Sequence, residues 1–236
     1  MEPITTLTLF RYQTFWSKVW AFGMMQFAHP SLGKVEGLQF YKLMGSGKEG
    51  FNPRPDWSVY ALVQVWDSQG AAEAFFKEHP LMGRYRSKVE ETATLYLKTA
   101  KVKGEWAGRN PFPLSKDLDP DNDYLAVITR ATIKSKFLFR FWKYVPDSQK
   151  GLMENQGLLY TKGIGEVPFR NMATFSIWKD QESLQTFAYK AAEHKKAISL
   201  THSLKWYKEE LFARFQPYRL EGSWKGIPPL DLKSST

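Results

Sequence analysis

Apolar residues recur with two different periods along residues 124–220. Short runs rich in branched and aromatic residues are typical of β-strands. Longer stretches with apolar residues three or four positions apart are typical of helices, as for Phe137, Phe141 and Tyr144. The predicted elements are a strand at 124–132, a helix at 134–145, strands at 157–165 and 169–178, a helix at 180–198 and a strand at 210–220.

The first hundred residues predict the same order of elements. They are a strand at 5–12, a helix at 15–28, strands at 37–43 and 58–66, a helix at 69–88 and a strand at 93–100. The two parts also resemble each other in sequence, which is the mark of an internal repeat. The matching strings are "EGLQFYKLMG" (36–45) with "QGLLYTKGIG" (156–165), "VYALVQVWDSQGAAEAF" (59–75) with "NMATFSIWKDQESLQTF" (171–187), and "GEWAG" (104–108) with "GSWKG" (222–226).

These repeats predict an α+β fold made of tandem duplicated ferredoxin-like units, each with the order β-α-β-β-α-β. The two units would cover each other's sheets and form a body of the dimeric α+β barrel type. We place an N-terminal repeat at 1–115 and a C-terminal repeat at 120–230. The segment between them, "NPFPLSKDLDPDNDY" (110–124), is rich in Pro, Asp and Asn and is interpreted as a linker. The first repeat has an extra loop, "SGKEGFNPRPDW" (46–57).

Composition narrows the possible chemistry. The chain has no Cys, which excludes disulfides, thiolate metal sites and Cys nucleophiles. The absence of a long apolar run and of a signal-peptide pattern leads us to expect a cytoplasmic protein. The net charge of +9 favours an anionic partner, and without a nucleic-acid-binding motif no nucleic-acid partner is expected. Aromatic residues make up 16% of the chain, which suits a packed interior or a pocket for a large apolar ligand.

Two glycine-rich or aromatic segments have alternative interpretations. "GSGKEG" (45–50) lacks the spacing of a nucleotide-binding loop and is interpreted as the tip of the extra loop. The helix at 15–28 is interpreted first as a core helix. Its many aromatic residues leave open a peripheral contact with a lipid surface.

His194 is the histidine with the most informative surroundings. Leu184, Phe187, Ala191, His194 and Ile198 are spaced by three or four residues and form one predicted inward-facing stripe. Small residues beside an inward histidine leave room for a flat ligand. The histidine is then a buried side chain bonded to a carbonyl, an axial ligand of haem iron, or a ligand of another metal.

The other three histidines are weaker candidates. His29 and His79 each precede a proline, which disfavours helical geometry and predicts a helix end or turn. His202 lies in a segment rich in Ser and Thr. Among the cations near the second unit's strands, Arg130, Lys162 and Arg170 are candidates to bind a propionate or to polarise a bound oxygen species, and the alternative for each is a solvent-exposed charge.

Several unusual strings are similar to one known family. "WAFGMM" (20–25), "KLMGSGKEGF" (42–51), "GIGEVP" (163–168) and "TFSIW" (174–178) resemble the spheroidene monooxygenase family, and the resemblance extends over nearly the whole chain. It implies an enzyme that uses O₂, haem b and electrons from a reduced ferredoxin-type donor to insert oxygen at C2 of an acyclic carotenoid, by hydroxylation to a ketone.

The resemblance also implies roles for particular residues. Related dimeric α+β barrel haem proteins hold the iron through a histidine on a helix of the C-terminal half, and His194 takes that place here. We therefore expect His194 as the metal ligand, Lys162 and Lys195 as further cofactor-binding residues, and Arg130 and Arg170 as catalytic residues on the distal side.

Other functions remain open at this level. One is a protein that binds or senses haem or an apolar ligand without turnover. Another is a haem enzyme of a different type, such as a dehydratase or a peroxidase, because one fold supports several chemistries. The sequence also leaves open a homo-oligomer.

Overall fold

The computed structural model describes residues 2–48, 52–148, 155–190 and 206–232. His194 and Lys195, two of the predicted site residues, lie outside the described residues. The strands are β1 (Ile4–Arg11), β2 (Leu38–Lys48), β3 (Asn52–Trp66), β4 (Glu91–Gly104), β5 (Leu125–Ile133), β6 (Leu158–Val167), β7 (Asn171–Trp178) and β8 (Tyr207–Gly222). The helices are α1 (Phe15–Phe27), α2 (His29–Leu32), α3 (Gln69–Glu78), α4 (Pro80–Arg86), α5 (Leu138–Ser148) and α6 (Gln181–Lys190).

The eight strands form one closed barrel in which every pair of neighbours is antiparallel. Their order around the barrel is β1-β3-β2-β6-β7-β5-β8-β4. Each half of the chain therefore supplies four adjacent strands, and the halves join where β2 pairs with β6 and where β4 pairs with β8. The α+β fold is confirmed, with a single barrel that closes within one chain.

The two halves have matching strand registers. In each half, the tryptophan at the end of the third strand lies opposite the first residue of the first strand and the first residue of the second strand. The pairs are Trp66 with Ile4 and Leu38, and Trp178 with Leu125 and Leu158. This register makes it possible to compare equivalent positions of the two halves residue by residue.

The barrel interior is a continuous apolar core. Side chains alternate between the two faces of each strand, and inward positions of all eight strands contribute, for example Leu9, Val63 and Phe175. Trp106 and Phe112 are fully buried in the same core, although they belong to the segment between the halves. The predicted linker thus has a packing role, because its Phe112 joins Trp106 of the preceding segment in the barrel core.

Helices cover the outer face of the first half. The helix predicted at 69–88 is divided into α3 and α4 at His79–Pro80, because proline removes a backbone donor and restricts the residue before it. His79 was predicted to end its helix, and this is confirmed. Its Nδ1 accepts the N–H of Leu81 (3.2 Å) and so caps α4.

The extra loop predicted at 46–57 is largely β-structure. β2 continues to Lys48 and β3 begins at Asn52, with register shifts in the pairing. The hydroxyl of Ser46 donates to the carbonyl of Val59 (2.8 Å), which ties the two strands together beyond the predicted ends. The prediction missed this because Gly, Pro and Asp are rare in strands but are tolerated at irregular positions. No helix of the described residues combines the length and the apolar character needed to cross a membrane.

Candidate functional site

The outer face of the second half carries smaller side chains than the outer face of the first. Large residues on β1, β2 and β3 correspond to small ones on β5, β6 and β7. The equivalent positions are Phe10 and Ala131, Leu43 and Gly163, Leu62 and Thr174, and Gln64 and Ser176. In the first half the first three of these large residues lie in the core beneath the helices. The second half has a shallower surface at the same positions.

Gly163 lies on β6, the strand of this small-residue face that adjoins the first half. The residue is buried, yet a Cβ built on it meets no described atom within 4 Å. Thr129 and Thr174 lie opposite each other on the neighbouring strands, and Thr129 is exposed. The described side chains therefore leave space above this face, with the hydroxyl-bearing Thr129 and Thr174 in its surface.

Arg214 on β8 borders the same face, next to Phe212. Its guanidinium carbon lies 5.5 Å from the centre of the Phe212 ring. Its Nε is buried and has no hydrogen-bond partner among the described residues. Because an unsatisfied buried N–H is costly, this arginine is suited to bind an anionic group. The equivalent position in the first half is Tyr96, so the cation belongs to the second half alone.

Helix α6 lies over this half of the sheet. Asp180 caps its start by accepting the N–H of Ser183 (2.7 Å), and this bond holds the pKa of Asp180 below its ordinary value. Leu184 is buried, and the ring of Phe187 stacks on Trp178 at 5.6 Å. The first two positions of the predicted stripe thus face the sheet. Ala191, His194 and Ile198 lie outside the described residues.

Arg130 points into the barrel rather than toward the outer face. It is 4% exposed, it pairs with Glu209, and its second nitrogen lies 3.5 Å from Glu166. Its guanidinium carbon lies 5.7 Å from the centre of the Trp106 ring. Partial burial acts to raise the pKa of Glu209, but backbone N–H groups, including that of Gly108, and Arg130 together hold it below its ordinary value. This arginine therefore braces the end of the barrel.

Lys162 is also held inside the barrel wall. Its Nζ donates to Asp56 on β3 at 2.8 Å. Burial acts to raise the pKa of Asp56, but hydrogen bonds from Lys162 and Ser58 keep it lowered. Lys42, the residue that the repeat aligns with Lys162, pairs with Glu166 at 2.7 Å. Both aligned lysines thus form ion pairs near the β2–β6 junction.

Arg170 lies on the exposed turn between β6 and β7. Its backbone carbonyl accepts the N–H of Ile133 (2.9 Å), which places the turn beside the end of β5. The predicted residues are therefore in different environments: Arg130 and Lys162 face the interior, and Arg170 lies at the surface. Their cofactor-binding and catalytic roles stay predictions.

The described histidines already have structural partners. His29 Nδ1 lies 3.0 Å from the hydroxyl of Tyr41 on the surface, and His79 caps α4. Within the described ranges, no group of three or more His, Asp or Glu residues is arranged to hold a metal ion. A histidine ligand on the second half would therefore have to come from residues 191–205.

Sequence reasoning did not identify Gly163 or Arg214. The information on Gly163 was present in the aligned repeats, where a leucine is replaced by glycine, and the strand registers add that Arg214 takes the place of Tyr96. It becomes interpretable only once the register shows that these positions lie on one face.

Comparison with known proteins gives the family. The chain is 37% identical over 233 residues to spheroidene monooxygenase of Rhodobacter capsulatus, covering 98% of this chain and 97% of that protein. It is 34% identical to spheroidene monooxygenase of Cereibacter sphaeroides (95% and 70% covered) and 31% identical to that of Rubrivivax gelatinosus (89% and 80% covered). The chain belongs to the spheroidene monooxygenase family. As a member of the spheroidene monooxygenase family it is a monooxygenase, and the resemblance seen in its motifs is confirmed.

Solved structures show a related fold. An aldoxime dehydratase in complex with butyraldoxime has a TM-score of 0.63 at 9% identity, covering 91% of this chain and 79% of that one. A second aldoxime dehydratase structure has a TM-score of 0.57 at 11% identity, with 91% and 81% covered. At these identities the similarity concerns the fold alone. No protein-family model matches the sequence.

Proposed function

We propose that this monooxygenase depends on haem and inserts oxygen from O₂ into a long apolar substrate of the carotenoid class. The names of its relatives support the substrate class. The observation that carries the haem proposal is the small-residue outer face of the second half, where the space above Gly163 is not filled by described side chains.

The residues of this face fit a flat, apolar group with acidic substituents. Gly163 and Ala131 allow a planar ring system to approach the sheet closely. The Nε of Arg214, which has no hydrogen-bond partner among the described residues, suits a propionate. In the sequence, His194 follows Phe187 by seven residues, which is about two helical turns. It would offer an imidazole nitrogen to hold the haem iron.

Haem b, when bound, would supply the activation of O₂ that no protein side chain provides. The chain's own residues would bind and orient. Arg214 and Lys195 would hold the propionates, while the hydroxyls of Thr129 and Thr174 would offer hydrogen bonds on an otherwise apolar surface. Leu184, on the buried side of α6, would help to exclude water.

The distal arginines and Lys162 stay part of the proposal as separate hypotheses. Arg130 and Lys162 would have to leave carboxylate partners to contact a ligand, whereas Arg170 is exposed at the end of the sheet. We also propose that the two halves are tandem repeats of one ferredoxin-like unit, which the matching registers of Trp66 and Trp178 support.

Absorption spectroscopy tests the haem proposal. The purified protein, reconstituted with haem, should show a Soret band at about 400 nm, as haem proteins in general do. His194→Ala should lose the band, while His29→Ala, which alters a surface histidine, should keep it. A protein that takes up no haem would refute the proposal, and so would a His194→Ala variant with an unchanged spectrum.

Turnover distinguishes catalysis from binding. The haem-loaded protein should convert an acyclic carotenoid to hydroxylated and keto products when O₂ and a reduced ferredoxin-type donor are supplied. Haem uptake without product would favour the alternative of a haem-binding or sensor protein. Conversion of an aldoxime or a peroxide instead would favour another type of haem enzyme.

A further inference from the structure

Helix α1 presents its largest apolar side chains to solvent. Its buried residues are small or flexible: Ser17, Ala21 and Met24. The exposed ones are Phe15 (70% exposed), Trp16 (77%), Val19 (48%), Phe22 (58%) and Phe27 (72%). This arrangement is the reverse of an ordinary surface helix, which buries its apolar stripe. The interpretation of α1 as a core helix is therefore wrong for most of its aromatic residues.

The exposed residues form one continuous surface. On a helix with 3.6 residues per turn they fall within an arc of about 140°. Trp57 of β3 extends the surface sideways, because its ring lies 5.3 Å from that of Phe22 and is 53% exposed. With about 200 Å² per aromatic side chain, the five exposed aromatic rings present roughly 660 Å². That equals or exceeds the largest apolar patch of a typical monomer.

The segment that carries most of this surface is basic. Residues 12–35 contain Lys18 and Lys34 and neither Asp nor Glu. Phe and Trp side chains beside Lys18 match the interface of an anionic bilayer, where rings insert at headgroup depth and cations remain with the phosphates. A second copy of the chain fits less well, because two-fold pairing of this face would bring Lys18 of each copy to a partner face with no carboxylate in residues 12–35.

A cavity opens beside the same surface. It has a volume of about 690 Å³ and lies between α1, α2 and β2. Phe22 and Phe27 belong both to the exposed surface and to the cavity wall, and the Lys42–Glu166 ion pair lies at its polar side. A bilayer seated on α1 would therefore also lie against the mouth of this cavity.

We propose that the exposed face of α1, together with Trp57, docks the protein on an anionic lipid bilayer. The docking would give the proposed enzyme access to an apolar substrate dissolved in lipid. Only this purpose of the docking rests on the proposed function. Lipid binding itself requires neither haem nor turnover, so the two proposals can fail separately.

Vesicle sedimentation tests the docking. The full chain is mixed with vesicles of phosphatidylcholine containing phosphatidylglycerol, and with vesicles of phosphatidylcholine alone. The wild-type protein should bind the anionic vesicles more strongly, and binding should weaken as salt is added. The triple variant Trp16→Ala/Phe22→Ala/Phe27→Ala should lower the partition coefficient roughly ten-fold or more.

The matched control is Phe139→Ala, which removes a residue that is 91% exposed on α5, away from this surface. It should bind vesicles like the wild type. Far-ultraviolet circular dichroism confirms that each variant is folded. Equal vesicle binding by the triple variant and the wild type would overturn the proposal. A dimer in solution that the triple variant abolishes, with no vesicle binding by either protein, would overturn it in favour of a second copy.

Discussion

Replacing Arg130 by methionine tests whether this residue braces the barrel or serves the reaction. The guanidinium lies between Glu209 and Glu166 and is 4% exposed. After the change Glu166 keeps Lys42 (2.7 Å) and the indole N–H of Trp106 (2.8 Å). Glu209 keeps a backbone N–H but loses its cation. The cost therefore comes mainly from one partly buried carboxylate that is left without a counter-charge.

We expect Arg130→Met to lower the free energy of unfolding by about 3 kcal/mol, the lower end of the range for breaking a buried pair. Glu209 is 19% exposed, so water compensates part of the loss. The melting temperature should fall by roughly 6–12 °C for a chain of this size. The double variant Arg130→Met/Glu209→Gln should recover most of the loss, to within about 1 kcal/mol of the wild type, because no charge then remains unpaired.

Urea unfolding of the haem-free protein, followed by tryptophan fluorescence, gives these energies. A loss below about 0.5 kcal/mol for Arg130→Met would refute the brace, and so would a double variant as unstable as the single one. The haem-loaded variant should keep the wild-type Soret position. A shifted band would instead support the predicted distal role of Arg130.

Three further predictions concern charge, ligand space and backbone. Because the folded-state pKa of Asp56 is lowered, its pairing with Lys162 stabilises the fold above about pH 4, and this stabilisation is lost as the pH falls further. Asp56→Asn should lower the free energy of unfolding by about 2 kcal/mol at pH 7 and flatten the acid limb of a stability–pH curve. Gly163→Leu should abolish haem uptake in a spectroscopic titration. Gly163→Ala, whose Cβ meets no described atom, should retain it. Haem uptake by both variants would count against the site. Gly37→Ala forces a Cβ to 2.6 Å from a neighbouring side chain at φ +76° and should destabilise the protein by more than about 1 kcal/mol. Gly83→Ala in α4 should instead stabilise it by about 0.5–1 kcal/mol, as measured by thermal unfolding.

The sequence predicted well wherever local pattern decides structure. Strand β5 was predicted within one residue of its observed ends, and the helix end at His79 followed from the proline after it. These successes share a cause: side-chain period and proline geometry act over a few residues and need no knowledge of distant contacts.

Long-range packing decided the rest. The sequence determined an α+β chain of two similar halves in the spheroidene monooxygenase family, and it singled out His194. Only the tertiary structure showed that Arg130 is held between two carboxylates, that Gly163 and Arg214 share one face, and that α1 turns its aromatic residues outward. Each depends on which residues from other strands or helices lie opposite a given side chain. A helical period gives the direction of a stripe relative to its own axis, but only the neighbouring elements determine whether that direction is the core or the solvent.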